Sequence, residues 1–160
     1  MLAQVNNQVT IIQIQKNNYP DELEFNKHVR RTETIIYNRN NNVQDSVMIY
    51  SGLADNDIKS FPFVKINLLV EIKEYRTSSD LFNGVEIENK DGYPVKTWEL
   101  RRHHGDYEYY SIQVDNLNSS QFYMGNGIFK IKLKYYCLQH HHFQDWFLRN
   151  VHLDFTLKSN

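Results

Sequence analysis

Between residues 64 and 72 the apolar side chains fall on every second position. Val64, Ile66, Leu68, Val70 and Ile72 alternate with Lys65, Asn67, Glu71 and Lys73, and Leu69 is the one exception. A period of two sends successive side chains to opposite faces of an extended chain, so this segment is predicted to be a strand with one face in a core. The same alternation is cleaner in Phe129, Ile131, Leu133 and Tyr135, set against Lys130, Lys132, Lys134 and Tyr136. A third long strand is predicted from Phe147, Val151, Leu153, Phe155 and Leu157, with Asn150, His152, Asp154 and Thr156 opposite. Arg149 interrupts its inner face near the start. A helical period would scatter these residues around a cylinder.

Weaker patterns fill the rest of the chain. Val9 and Ile11 alternate, and Ile12 and Ile14 then do so in the other phase, which suggests a bulge. Leu23, Phe25 and Val29 form another set, and residues 35–37, 43–50, 85–87, 95–100 and 107–115 complete the strands. The total is roughly 8–10 strands, at the spacing of sandwiches and barrels. Turn residues stand between them at Tyr19-Pro20-Asp21, Asn83-Gly84, Asp91-Gly92 and Gly125-Asn126-Gly127. Asp91-Gly92 is placed to close a hairpin, residues 116–120 read as a polar loop, and short helical turns fit at 54–60 and 78–82.

No helix is predicted between successive strands, which excludes a parallel sheet. An antiparallel all-β chain of this length must bury one face of each sheet against another sheet. The expected fold is therefore an antiparallel two-sheet β-sandwich, jelly-roll-like, spanning residues 1–160 as a single domain, with a closed barrel as the alternative.

Composition sharpens this picture. The chain has 160 residues, with 41% hydrophobic and 23% charged positions, the balance of a globular protein. Tyr 11 and Phe 9 suit pleated, half-buried surfaces, while alanine occurs only at Ala3 and Ala54. The net charge of -1 argues against a nucleic-acid coat with a basic arm. A single cysteine, Cys137, rules out an internal disulfide framework. The start of the chain does not read as a signal peptide, and no apolar run approaches the roughly 20 residues of a membrane helix. The expected setting is therefore inside a cell or in a virion.

Candidate chemistry is sparse. Cys137 with His140, His141 and His142 has zinc-ligand spacing, and His103 and His104 could complete a set. The more economical account is a polar turn after a strand, with no metal needed for folding. His103, His104, Asp106 and Glu108 could serve acid–base chemistry in a cleft, yet they read as a hairpin loop, and no nucleophile elbow, phosphate loop or zincin motif is present. No catalytic residue and no cofactor are assigned. The stripe Lys130, Lys132 and Lys134 reads as a solvated strand face, with nucleic-acid binding disfavoured. Asn118-Ser119-Ser120 has the form of a glycosylation sequon but reads as loop.

Aromatic residues carry the strongest functional hint. Tyr109 falls on the face opposite Tyr110, Ile112 and Val114, beside Ser111, Gln113 and Asp115, where a solitary subunit would more often carry a charge. Phe122, Tyr123 and Met124 form an apolar run before Gly125. Exposed aromatics with polar tips are typical interface groups, so Tyr109, Phe122, Tyr123 and Met124 are the expected interface residues. In fold alone, the strand pattern resembles the small sandwiches of viral jelly-roll capsid components and of carbohydrate-binding modules. The first expectation is a non-enzymatic structural or assembly protein that docks on itself or on other protein subunits, as a capsid or particle component. The alternative is a sandwich module that binds a glycan or a host protein.

Overall fold

A computed structural model describes residues 20–36, 43–74, 83–100, 105–137 and 146–160. Among them run ten strands: β1 (Glu22–Arg30), β2 (Thr34–Ile36), β3 (Val43–Tyr50), β4 (Phe63–Glu74), β5 (Asn83–Glu88), β6 (Pro94–Leu100), β7 (Glu108–Asn118), β8 (Tyr123–Gly125), β9 (Ile128–Cys137) and β10 (Trp146–Lys158). One short helix, α1 (Asp55–Ile58), lies in the expected segment after β3. Among the described residues no helix is long and apolar enough to cross a membrane. The patterns at residues 9–14 and 78–82 lie outside the described residues.

The strands form two antiparallel sheets. One has the order β1-β10-β4-β7, with β2 pairing the start of β10. The other has the order β3-β9-β5-β6, with β8 pairing the start of β9. The β5–β6 hairpin closes around Asp91-Gly92 as expected: Gly92 takes φ +87, and the Asn89 side-chain oxygen accepts from the backbone N–H groups of Asp91 and Tyr93. Most other connections carry the chain from one sheet to the other. Of the described strands the first lies beside the last and β3 beside β9, which is the jelly-roll form of the β-sandwich.

The inner faces fuse into one core. Ile66, Leu68, Val70, Ile131, Leu133, Val151, Leu153 and Phe155, the residues with the cleanest alternation, are all fully buried in a single cluster. Phe155 links the sheets, with its ring 5.1 Å from Phe129 and edge-on at 6.5 Å to Phe122. Each such side chain stabilises the fold by about 1.5–3 kcal/mol through burial.

Three expectations of local structure need correction. Asn83-Gly84 is not a turn but the start of β5, paired on both sides. Phe147 does not face the core; Trp146 and Leu148 do, and Phe147 packs outside against Lys73. The cause is a bulge at Asn150, which takes φ +52 and shifts the register to β4 between Arg149 and His152. Arg149 therefore lies on the outer face instead of breaking the inner one. The supposed loop 116–120 is largely strand: β7 continues to Asn118 across a bulge at Asn116, φ +58, and a 3-10 turn (Ser119–Gln121) follows.

Candidate functional site

The four expected interface residues do not come together. Tyr109 points outward from β7, opposite Glu71 of β4, and is 60% exposed. Its neighbours Tyr110 and Ile112 turn into the core, as the alternation requires. Phe122 is corrected outright: it is fully buried against Phe155 and offers no surface. Tyr123 is half-buried with its ring 5.0 Å from Phe129. Its hydroxyl donates to Asp55 and accepts the Gly127 N–H at 2.8 Å. Burial first, then the Asp55 hydrogen bond, raises its phenol above the ordinary value. Met124 is half exposed. The length of β7 separates Tyr109 from this turn, and nine extended residues span roughly 30 Å.

Around Tyr109 the outer face of β4, β7 and β10 carries a cluster that periodicity does not reveal. The Arg149 guanidinium stacks 3.5 Å from the Tyr107 ring centre and donates from Nε to Glu71 at 2.7 Å. Asn150 donates to the other Glu71 oxygen at 3.1 Å. The Lys73 ammonium sits 4.8 Å from the Tyr107 ring and 4.9 Å from Phe147. Such cation–ring contacts contribute about 0.5–1 kcal/mol in exposed settings. Ser111 donates to Asn67 at 2.9 Å beside Tyr109. The bulge at Asn150 brings Asn150 to Glu71, so the only sequence signal was Arg149 in an apolar phase.

The hydrogen bond from Arg149, then that from Asn150, holds the Glu71 carboxyl below its ordinary value against the opposing effect of burial. A folded-state pKa below the unfolded one stabilises above the unfolded pKa and is lost as pH falls through the folded one. Glu71→Gln should therefore lower stability modestly at neutral pH, by about 1 kcal/mol or less for a pair this exposed. The deficit should shrink to nothing as pH falls below the ordinary carboxylate range. Denaturant titrations of both proteins across that range check this, and a deficit unchanged at low pH would refute it.

A second exposed aromatic group stands at the other end of the sandwich. Tyr50 (66% exposed) ends β3 opposite Ile128, and Tyr93 (69% exposed) lies in the β5–β6 loop. That loop is tied to the β8 region by the Lys90 ammonium, which donates to the Tyr123 carbonyl at 3.0 Å. Along one side, the edges of β1 and β3 flank a shallow groove of about 390 Å³ lined by Phe25, Lys27, Met48 and Tyr50 among others. Arg30 of β1 bridges to Asp45 of β3, with Nη2 at 2.5 Å and Nε at 3.2 Å, and also donates to Thr34 at 2.8 Å. Burial, then Asp45, pushes the Tyr135 phenol beside this pair well above its ordinary value. The Tyr135 hydroxyl itself makes no well-formed hydrogen bond among the described residues.

The remaining candidates are quickly placed. His103, His104 and His140–His142 lie outside the described residues. The described strand ends flanking them, Leu100 and Cys137, both align with Asn83 at one end of their sheet. Among the described residues no group of three or more His, Cys, Asp or Glu could hold a metal ion. Lys132 and Lys134 face Glu88 and Glu86 across the β9–β5 ladder, so the lysine stripe is an alternating-charge surface.

Comparison with known proteins bears on the fold. No family model matches the sequence, and no curated protein does. A structure of the Gt strain of infectious bursal disease virus overlays with TM-score 0.54 and 12% identity, covering 95% of this chain and 37% of that one. The VP2 subviral particle of infectious bursal disease virus overlays with TM-score 0.50 and 10% identity, covering 98% and 37%. This chain thus spans little more than a third of those viral proteins. A family 11 carbohydrate-binding module of a Clostridium thermocellum cellulase aligns only at TM-score 0.33 and 9% identity, covering 86% and 89%, and adds nothing to the assignment. At these identities the likeness is one of fold: the chain is a jelly-roll β-sandwich similar in form to part of VP2 of infectious bursal disease virus.

Proposed function

We propose that this chain is a non-enzymatic structural subunit that docks through the surfaces of its sandwich onto copies of itself or other subunits within a virus particle. The observation that carries this reading is Tyr109. A large ring is held 60% exposed on a regular strand, next to the neutralised Glu71–Arg149 pair and the Arg149–Tyr107 stack. The ring is presented by a hydrogen-bonded sheet, so little conformational entropy is lost when a partner covers it. The jelly-roll form shared with VP2 of the infectious bursal disease virus subviral particle supports the same reading.

Tyr109→Ala should weaken association by roughly thirtyfold, the effect of losing an interface hot spot worth about 2 kcal/mol. The stability of the isolated fold should change little, because the ring lies outside the core. Sedimentation over a concentration series, with a thermal melt as control, measures both. Equal association of wild type and variant would sink the assembly role of Tyr109. Binding of a glycan by a protein that stays monomeric would put the module reading first.

A further inference from the structure

Among the described residues four long strands stand at sheet edges, β1 and β7 in one sheet and β3 and β6 in the other, and the three-residue strands β2 and β8 are also paired on one side only. A bare edge offers unpaired N–H and C=O groups, and proteins guard against unwanted pairing with charge, proline and bulges. Three of the four edges carry such devices. β1 holds Glu22, Glu24, Lys27 and Arg30. β6 opens with Pro94 and carries Lys96 and Glu99. β7 has Glu108, Asp115 and the bulge at Asn116.

β3 is different. Its eight residues, Val43 to Tyr50, contain no proline or glycine. Its register with β9 runs without a shift over its whole length. Its one charge, Asp45, is engaged by Arg30 of the other sheet at 2.5 Å. The outer-face row Gln44, Ser46, Met48 and Tyr50 is uncharged, and among the described residues β3 has a strand neighbour on one side only.

We infer that the β3 edge is a pairing site for a second copy of this chain, with β3 meeting β3 antiparallel about a two-fold axis. The inference rests on the assembly role proposed above and names one contact within it. A self-paired strand must face its own reversed sequence. With a single, internally neutralised charge, β3 can do so without setting like charges across the ladder. Val43, Val47, Ile49 and Tyr50 give it a composition that favours extended pairing. The two sheets containing β3 would then run continuously through the dimer.

Hydrogen–deuterium exchange on the full chain, together with sedimentation, tests this. Amides of β3 should become slower to exchange as concentration rises, in step with dimer formation. Ser46→Lys and Met48→Lys place a new cation on the outer row, where two copies repel across the axis, and each should weaken dimerisation by about tenfold or more. Thr97→Lys on β6 should leave it unchanged, and thermal melts should confirm that all three variants fold. Amides of β3 that are protected equally at every dilution would mean the edge is covered within one chain, and the inference would fall. It would also fall if both lysine variants dimerised like wild type. Association lost in Tyr109→Ala but intact in the β3 variants would overturn this contact alone, whereas a wild type that never associates with any subunit overturns the assembly role as well.

Discussion

Leu133→Ala should destabilise the protein by about 2–5 kcal/mol, lowering the melting temperature by roughly 5–15 °C. Leu133 is fully buried near the middle of β9, with β3 on one side and β5 on the other, and its cross-strand partner Ile87 is fully buried too. Truncation removes transfer energy and leaves a cavity between two sheets whose backbones are fixed by ladders on both sides, so little collapse can fill it. Lys132→Ala, one residue away, should cost well under 1 kcal/mol. Lys132 lies on the outer face opposite Glu88 and contributes nothing to the core, so its truncation opens no cavity. Denaturant titration of both variants gives the ratio, and equal losses would contradict the assignment of faces.

Gly127→Ala should cost about 2–4 kcal/mol, combining the strain of a left-handed residue with overpacking. Gly127 takes φ +76, and a Cβ built there would stand 2.8 Å from the Leu53 carbonyl oxygen. That neighbour is backbone and cannot rotate away. The Gly127 carbonyl also accepts from the Ser51 N–H at 2.8 Å and the Ser51 hydroxyl at 2.7 Å, and its N–H donates to the Tyr123 hydroxyl. Moving the glycine therefore disturbs the clasp between the segment after β3 and the turn before β9. The melting temperature of Gly127→Ala against Gly52→Ala separates crowding from backbone strain. Gly52 shares positive φ, at +74, but a Cβ there meets nothing within 4 Å. A loss no greater at Gly127 than at Gly52 would show that the close approach is unimportant.

Strand periodicity made most of this architecture legible, because burying one face of a pleated sheet imposes its period directly on the residues. The eight core residues from β4, β9 and β10 follow from that alone. Periodicity failed where the backbone inserts an extra residue: the bulge at Asn150 moved Trp146 and Leu148 inward, and only Arg149, standing in an apolar phase, marks the slip. The residues expected at an interface were harder still. Tyr109 could be placed because it belongs to an alternating strand. Phe122 ends a turn and Tyr123 and Met124 open the three-residue strand β8, too short for a period to say which faces inward. The structure gives each a different fate: core for Phe122, turn clasp for Tyr123 and surface for Met124. The Glu71–Arg149–Tyr107 cluster joins β4, β10 and the residue before β7, far apart in sequence, so no single strand's pattern announces it.

The placement of β10 between β1 and β4 also shapes how the chain reaches this fold. Asn26 and Asp154, hydrogen-bonded across β1 and β10, are separated by 128 residues of sequence. Neither β1 nor β4 can complete its ladder until residues 146–158 have left the ribosome. Closing so large a loop before its contacts form is slow, and folding on the millisecond-to-second scale follows from such non-local pairing. During synthesis the edges of β1 and β4 that β10 will join stand open, both waiting for the same late strand. A nascent chain in that state is the one most exposed to aggregation, and its protection falls to chaperones or to the speed with which the last strand arrives.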